Sequence, residues 1–173
     1  NKINFKRDGD FDVEPIILNK DRLNALESHL MLFFTGFSRT ASRIARKQIK
    51  NTANKRNELA MMHSLVDEAK NILTGSSDIA EFGKLLYESW KLKKSLTDKI
   101  STPEIDVVYD KAMSAGATGG KLLGAGGGGF VLFFVKPEFQ ERVRKKLSKL
   151  LLVKFRFENM GSHIIFYRDS AVT

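Results

Sequence analysis

Hydrophobic positions along the chain fall into short blocks whose spacing separates helices from strands. Lys2 to Ile17 holds two extended runs around Asp8-Gly9-Asp10, a turn-forming trio, and predicts a β-hairpin. Asn19 is placed to cap a short helix whose Leu23, Leu26 and Leu30 follow helical spacing. Leu30 to Phe34 is a continuous apolar run, short enough for a buried strand, and ends at Thr35-Gly36. Ser38 then stands where it can cap a helix carrying Ala41, Ile44, Ala45 and Ile49, followed by a polar stretch near Asn51 to Asn57. Leu59, Met62, Val66, Ala69 and Leu73 mark another helix, stopped by Gly75. Ser77 or Asp78 starts a fourth, with Ile79, Phe82, Leu86, Trp90 and Leu96 roughly on one side.

Thr102-Pro103-Glu104 is a strong helix start, combining a capping hydroxyl, a proline in the first turn and an early carboxylate. That helix holds Ile105, Val108, Tyr109 and Ala112, and Gly116 can end it. Phe130 to Val135 is a buried strand by composition. Pro137 opens a helix with Phe139, Val143, Leu147 and Leu150 on one face. Val153, Phe155 and Phe157 alternate as a strand, and Asn159-Met160-Gly161 turns the chain into a last strand from Ser162 to Arg168, before a frayed tail. The order predicts one α+β domain over residues 1–173, a mostly antiparallel sheet covered by helices on one side, with an added helical block.

Composition narrows the setting. Hydrophobic residues make up 42% and charged residues 28% of 173, which is ordinary globular usage. There is no cysteine, so disulfides and thiolate metal sites are excluded, and a reducing cytoplasm fits. No apolar run reaches the ~20 residues of a membrane span, and a membrane partner is not expected. The chain opens on Asn1 directly into strand-like residues, as expected of a piece cut from something longer. An excess of 29 Lys+Arg over 20 Asp+Glu gives +9 and favours anionic partners. It gathers in two helical stretches, Arg43 to Arg56 and Arg142 to Lys149, without interleaved aromatics for base stacking, so a solvated helix face accounts for it and nucleic acid is not expected.

The informative segment is Gly119 to Phe130. Gly126 to Gly129 are four consecutive glycines, which permit positive φ at an entropic cost, and their amides can turn inward as an anion-binding nest. A tight, closely packed connection between strands is the alternative. Gly124, Gly126 and Gly129 match G-x-G-x-x-G, but a strand follows where a dinucleotide fingerprint needs a helix. With Val131 they match the protein-kinase glycine loop, yet no V-A-I-K, H-R-D or D-F-G occurs. A Walker A loop needs Gly-Lys-Ser/Thr at its end, whereas Lys121 precedes the glycines.

The segment resembles the third motif of the galactokinase–homoserine kinase–mevalonate kinase superfamily. Together with the hairpin from Ile3 to Pro15, Leu32 to Arg39, Tyr87 to Lys94, Ala115 to Phe134 and Phe155 to Phe166, it is similar to the bacterial D-glycero-D-manno-heptose phosphate kinases over nearly the whole chain. The resemblance implies the C-terminal domain of such a kinase, with a ferredoxin-like core. It further implies ATP and Mg2+ held mainly by an N-terminal kinase domain of the same protein, a phosphorylated sugar as substrate, and a product feeding nucleotide-activated heptose synthesis for lipopolysaccharide. The prolines, Pro15, Pro103 and Pro137, open no P-x-x-x-G-L-G-S-S-type nucleotide loop, and the family's catalytic base and metal ligands belong to the other half. No catalytic or metal-binding residue is therefore expected in this chain, and this half alone is not expected to transfer a phosphoryl group.

The candidate substrate and phosphate contacts are Lys121, Gly124, Ala125, Gly126, Gly127, Gly128 and Gly129, with Ser38 and Arg39 at a helix start where amides and a guanidinium can grip an anion. Trp90, Lys93 and Lys94 match a family helix near the substrate; each also has a plain reading, a core indole or a solvated lysine. His29, His63 and His163 have no mutual ligand spacing, and Asp106 with Asp110 lack further metal ligands. The rival to a heptose phosphate kinase is an isolated basic α+β module that binds nucleic acid or protein without catalysis.

Overall fold

A computed structural model describes residues 1–37, 41–158, 161–162 and 164–166. A hairpin of β1 (Lys2–Phe5) and β2 (Phe11–Glu14) leads through α1 (Lys20–Ser28) into β3 (Leu30–Phe34). A helical block follows: α2 (Ala41–Asn51), a 3-10 turn over Thr52–Lys55, α3 (Arg56–Thr74), α4 (Ala80–Ser95) and α5 (Pro103–Ser114). The chain then returns as β4 (Ala117–Leu122), β5 (Phe130–Val135), α6 (Pro137–Lys146) and β6 (Leu151–Val153). The expected caps form: the Asn19 side chain accepts from the Arg22 amide, and Thr102 accepts from Ile105.

The main sheet has four antiparallel strands in the order β4-β5-β3-β6. Alternation along β5 assigns its faces. Val131, Phe133 and Val135 join Met31, Phe33, Trp90, Ile105, Tyr109 and Val143 in the larger core cluster. Phe134 points the other way, into a smaller cluster with Leu26, Ile79 and Leu86. Helices therefore pack on both faces rather than one. α4 serves both, placing Trp90 in one cluster and Leu86 in the other.

β4 is the strand the hydrophobic pattern does not announce, because Gly119 and Gly120 interrupt it. Their reason is close packing. A Cβ on Gly119 would run into the carbonyl oxygen of Gly83 and lie 2.8 Å from the Tyr87 amide, so α4 rests directly on the backbone of β4. At the other end, only Leu151–Val153 form a strand. Leu32 pairs with Val153 and β3 begins at Leu30, so the partner edge is exhausted two residues past Val153. Phe155 and Phe157 are not in a strand, nor are Ser162 and residues 164–166 of the expected final strand.

Candidate functional site

The glycine loop joins β4 to β5 at one end of the sheet; it is closed across its neck and fastened to three other stretches of the chain. Across its neck the Leu123 amide donates to the Phe130 carbonyl at 2.8 Å. On one flank the Gly129 amide donates to the Phe37 carbonyl at 3.0 Å, while the Gly129 carbonyl accepts from both the amide and the hydroxyl of Thr35, each at 2.8 Å. On the other flank the Gly127 amide donates to the carbonyl of fully buried Ile100 at 2.9 Å. At the entry, Lys93 Nζ donates to the Gly124 carbonyl at 2.6 Å and to that of Leu122 at 3.3 Å.

These contacts need the backbone that only glycine supplies. Gly127 has φ 75°, and a Cβ on Gly126 (φ 119°) would lie 2.8 Å from the Ile100 oxygen. They also revise the expected nest. The Gly127 and Gly129 amides are engaged by protein carbonyls and do not face a ligand. Among the described residues nothing accepts from the amides of Ala125, Gly126 or Gly128. The loop is thus a tight packed connection, the second of the two alternatives left open by the sequence, and three of its amides have no acceptor among the described residues.

The lysines are distributed differently from expectation. Lys121 does not turn to the glycine loop. It lies on the α4 side of β4, where its Nζ meets Ser89 Oγ at 3.0 Å, and it lines a cavity of about 400 Å³ shared with α3, α4 and the start of the chain. Lys93 takes the place beside the loop. Burial pushes its ammonium down to about 8, with repulsion from Lys121 adding to the effect, and burial lowers Lys121 as well. Lys94 turns away to Asp106 Oδ1 at 2.5 Å, an oxygen that also accepts from Ser101 Oγ at 2.8 Å. Its role is to tie α4 to α5, and Asp106 is occupied by that tie.

Trp90 is only 2% exposed and stacks on Tyr109 with ring centroids 5.9 Å apart, while the Tyr109 hydroxyl donates to the Gly120 carbonyl at 3.2 Å. It is a core residue, the plainer of its two sequence readings. Ser38 and Arg39 lie outside the described residues, as does His163. The segment leading to Ser38 and Arg39 is described as far as Phe37, whose carbonyl holds Gly129. His29 Nδ1 lies 2.7 Å from the Ala25 carbonyl and its ring stacks on Phe134, a structural placement.

Ser89 and Thr35 were not picked out by sequence. Ser89 precedes Lys93 by four residues, which sets both on one face of α4, so helical spacing carried that signal. Thr35 carried none, because its partner is 94 residues away. Among the described residues no three His, Asp or Glu side chains come together as metal ligands, and no helix is long and apolar enough to cross a membrane.

Comparison with known proteins gives this geometry a family. Residues 62–151 match the family described as GHMP kinases C terminal. The chain is 30% identical over 139 residues to a D-glycero-alpha-D-manno-heptose 7-phosphate kinase of Campylobacter jejuni, covering 79% of this chain and 41% of that protein. The crystal structure of the Methanococcus jannaschii mevalonate kinase superposes with a TM-score of 0.68 at 25% identity, covering 87% of this chain and 45% of that one. A D-glycero-D-manno-heptose 1-phosphate kinase from Bacteroides thetaiotaomicron shares the fold with a TM-score of 0.59 at 23% identity, covering 90% and 41%. The chain spans less than half the length of each of these relatives. With its antiparallel sheet, helical block and fastened glycine loop, this chain belongs to the GHMP kinase C-terminal domain family.

Proposed function

We propose that the chain is the substrate-side part of an ATP-dependent kinase that phosphorylates a heptose phosphate in the cytoplasm, on the way to nucleotide-activated heptose. The observation that carries this reading is the glycine loop, held by Thr35, Phe37, Ile100 and Lys93 while the Ala125, Gly126 and Gly128 amides have no acceptor among the described residues. Open amides beside a lysine suit a phosphate oxygen, because each N–H and the ammonium donate charge-assisted bonds to it. The sugar class comes from the relatives, two of which carry heptose phosphate kinase in their names.

ATP supplies the transferred phosphoryl group, with Mg2+ to neutralise its charge. The ion's ligands are assigned here to the rest of the longer protein. What this chain contributes is position and electrostatics. The anchored loop keeps its donors in place, and Lys93 brings a positive charge to Gly124. The rival, a basic binding module, draws no support from the charged helices, where Lys47 approaches Asp98 and Arg144 pairs with Glu141.

The test is a coupled ATP assay of the full-length protein against heptose 7-phosphate, heptose 1-phosphate, the free heptose and mevalonate, names taken from its relatives. Turnover of a heptose phosphate with a kcat/KM well above that of the free sugar is expected. Equal use of the free heptose, or a preference for mevalonate, would overturn the proposed substrate.

A further inference from the structure

The β1–β2 hairpin is built inside out. Its register pairs Lys2 with Glu14, Ile3 with Val13, Asn4 with Asp12 and Phe5 with Phe11. Alternation therefore puts Ile3, Phe5, Phe11 and Val13 on one face and the polar residues on the other. At the open end of the hairpin the polar face is turned to the body of the domain, while Asn4 and Asp12 further along it are exposed. Lys2 Nζ meets Asp67 Oδ1 of α3 at 2.6 Å, and Glu14 pairs with Lys70 of the same helix. The apolar face looks outward: Ile3 is 51% exposed, Phe5 81%, Phe11 55% and Val13 50%. The two rings touch each other, with centroids 6.3 Å apart, and cover little else.

A two-stranded hairpin is marginal in water unless one face is covered. Here the ion pairs to α3 hold the polar side of the hairpin's open end toward the domain and leave the aromatics pointing out. Among the described residues both strand edges are open as well, since β1 and β2 pair there only with each other. Something outside the described residues must cover this face for the hairpin to hold its register. The Campylobacter heptose kinase relative carries more than half its length outside the matched region, and the family matched is a C-terminal domain, so a domain-sized neighbour precedes this one in such a protein.

We propose that the Ile3, Phe5, Phe11 and Val13 face is the seam on which the preceding domain of the same longer protein packs. The proposal rests on the reading that the chain is one part of a longer kinase. In such a protein the hairpin belongs to both domains: its polar face is tied to α3 by charge, and its apolar face is buried against the neighbour. The seam then sets the angle between the two domains, and with it the distance from the glycine loop to whatever the neighbour binds.

Hydroxyl-radical footprinting of the full-length protein, without substrate or nucleotide, reads the seam directly. Phe5 and Phe11 should oxidise at least about tenfold more slowly in the native than in the urea-denatured protein, a protection like that of buried Trp90 and unlike that of exposed Ile17. The double substitution Phe5→Ser and Phe11→Ser should split a single melting transition into two. Protection no greater than at Ile17 would overturn the proposal. So would protection lost on dilution together with a dimer-to-monomer shift in sedimentation, because the occupant is then a second copy. The measurement needs no turnover. A protein that protects this face but phosphorylates no heptose phosphate keeps the seam and loses only the proposed substrate; an active kinase with an unprotected face loses the seam alone.

Discussion

Lys93 closes the entrance of the glycine loop by donating from α4 to the carbonyl oxygen of Gly124 at 2.6 Å. This one contact links a helix four turns long to Gly124, two residues before the loop's glycine run. It also holds a half-buried positive charge where no carboxylate balances it among the described contacts. Charge and position together make Lys93, rather than Lys121 or Lys94, the cation to remove first.

Lys93→Met in the full-length protein should leave the fold intact and raise KM for the phosphorylated ligand by about ten- to a hundredfold, the size of one charge-assisted contact of ~1.5–3 kcal/mol. Its pH signature follows from the lowered ammonium, at about 8 against an ordinary 10.5. Between those two values the unfolded chain holds the proton that the folded chain has released, so the Lys93 contribution to stability improves as pH rises through that window, and its cost is complete below about pH 8. An anion seated beside the ammonium raises its pKa again, so ligand binding should take up protons near pH 8. Calorimetry in two buffers of different ionisation enthalpy measures this uptake, which should vanish in the Lys93→Met protein.

Two glycines of the loop should respond to the same methyl group to different degrees. Gly124 has φ 71° but nothing within 4 Å of a would-be Cβ, so Gly124→Ala should cost only the left-handed strain of ~1–2 kcal/mol. At Gly128 the new atom would overlap the Phe37 carbonyl oxygen and lie 2.8 Å from its carbon. Gly128→Ala should therefore lower both the melting temperature and kcat. Gly128→Val should do so further, with a loss of stability that a purely ligand-facing glycine would not show. Thermal melts alongside kcat for the two alanine variants separate these cases.

Gly119→Ala tests the contact between α4 and β4. The added methyl meets the Gly83 carbonyl and the Tyr87 amide, both helix backbone with no flexible end to yield. Overpacking of this kind costs roughly 1–3 kcal/mol or more. A loss of several degrees in melting temperature is expected, and an unchanged transition would show that α4 stands further from the sheet.

Lys94 and Trp90 should prove structural. Lys94→Ala removes a partly exposed pair with Asp106 and should change stability by no more than about 1 kcal/mol, with KM for the phosphorylated sugar unchanged. Trp90→Ala empties a buried site and should cost about 3–5 kcal/mol. A selective rise in KM from Lys94→Ala would return that lysine to the ligand.

The sequence was legible wherever local chemistry decided the outcome. Asn19, Thr102 and Pro137 start helices as their types dictate, and Phe130 to Val135 forms a buried strand. It misled where a long-range neighbour decided. Gly119 and Gly120 are poor strand residues locally and become strand because α4 presses on them. The same omission misplaced Lys121: once β4 is recognised, Lys121 stands two residues beyond Gly119 and shares its face toward α4. The glycine run advertised a backbone-lined site, but which amides remain open depends on Phe37 and Ile100, far away in sequence.

The triple fastening of the loop has a consequence for how a ligand meets it. Its backbone is bonded at Gly124, Gly127 and Gly129 to three separate stretches of the chain, so no single hinge can swing it away. A loop of free glycines would surrender roughly 1–2 kcal/mol of backbone entropy per residue on taking hold of an anion. Here that ordering is completed during folding. On the proposed function, an arriving phosphate would meet donors already in place, and its binding free energy would be left to align the reacting atoms rather than to tame a floppy segment.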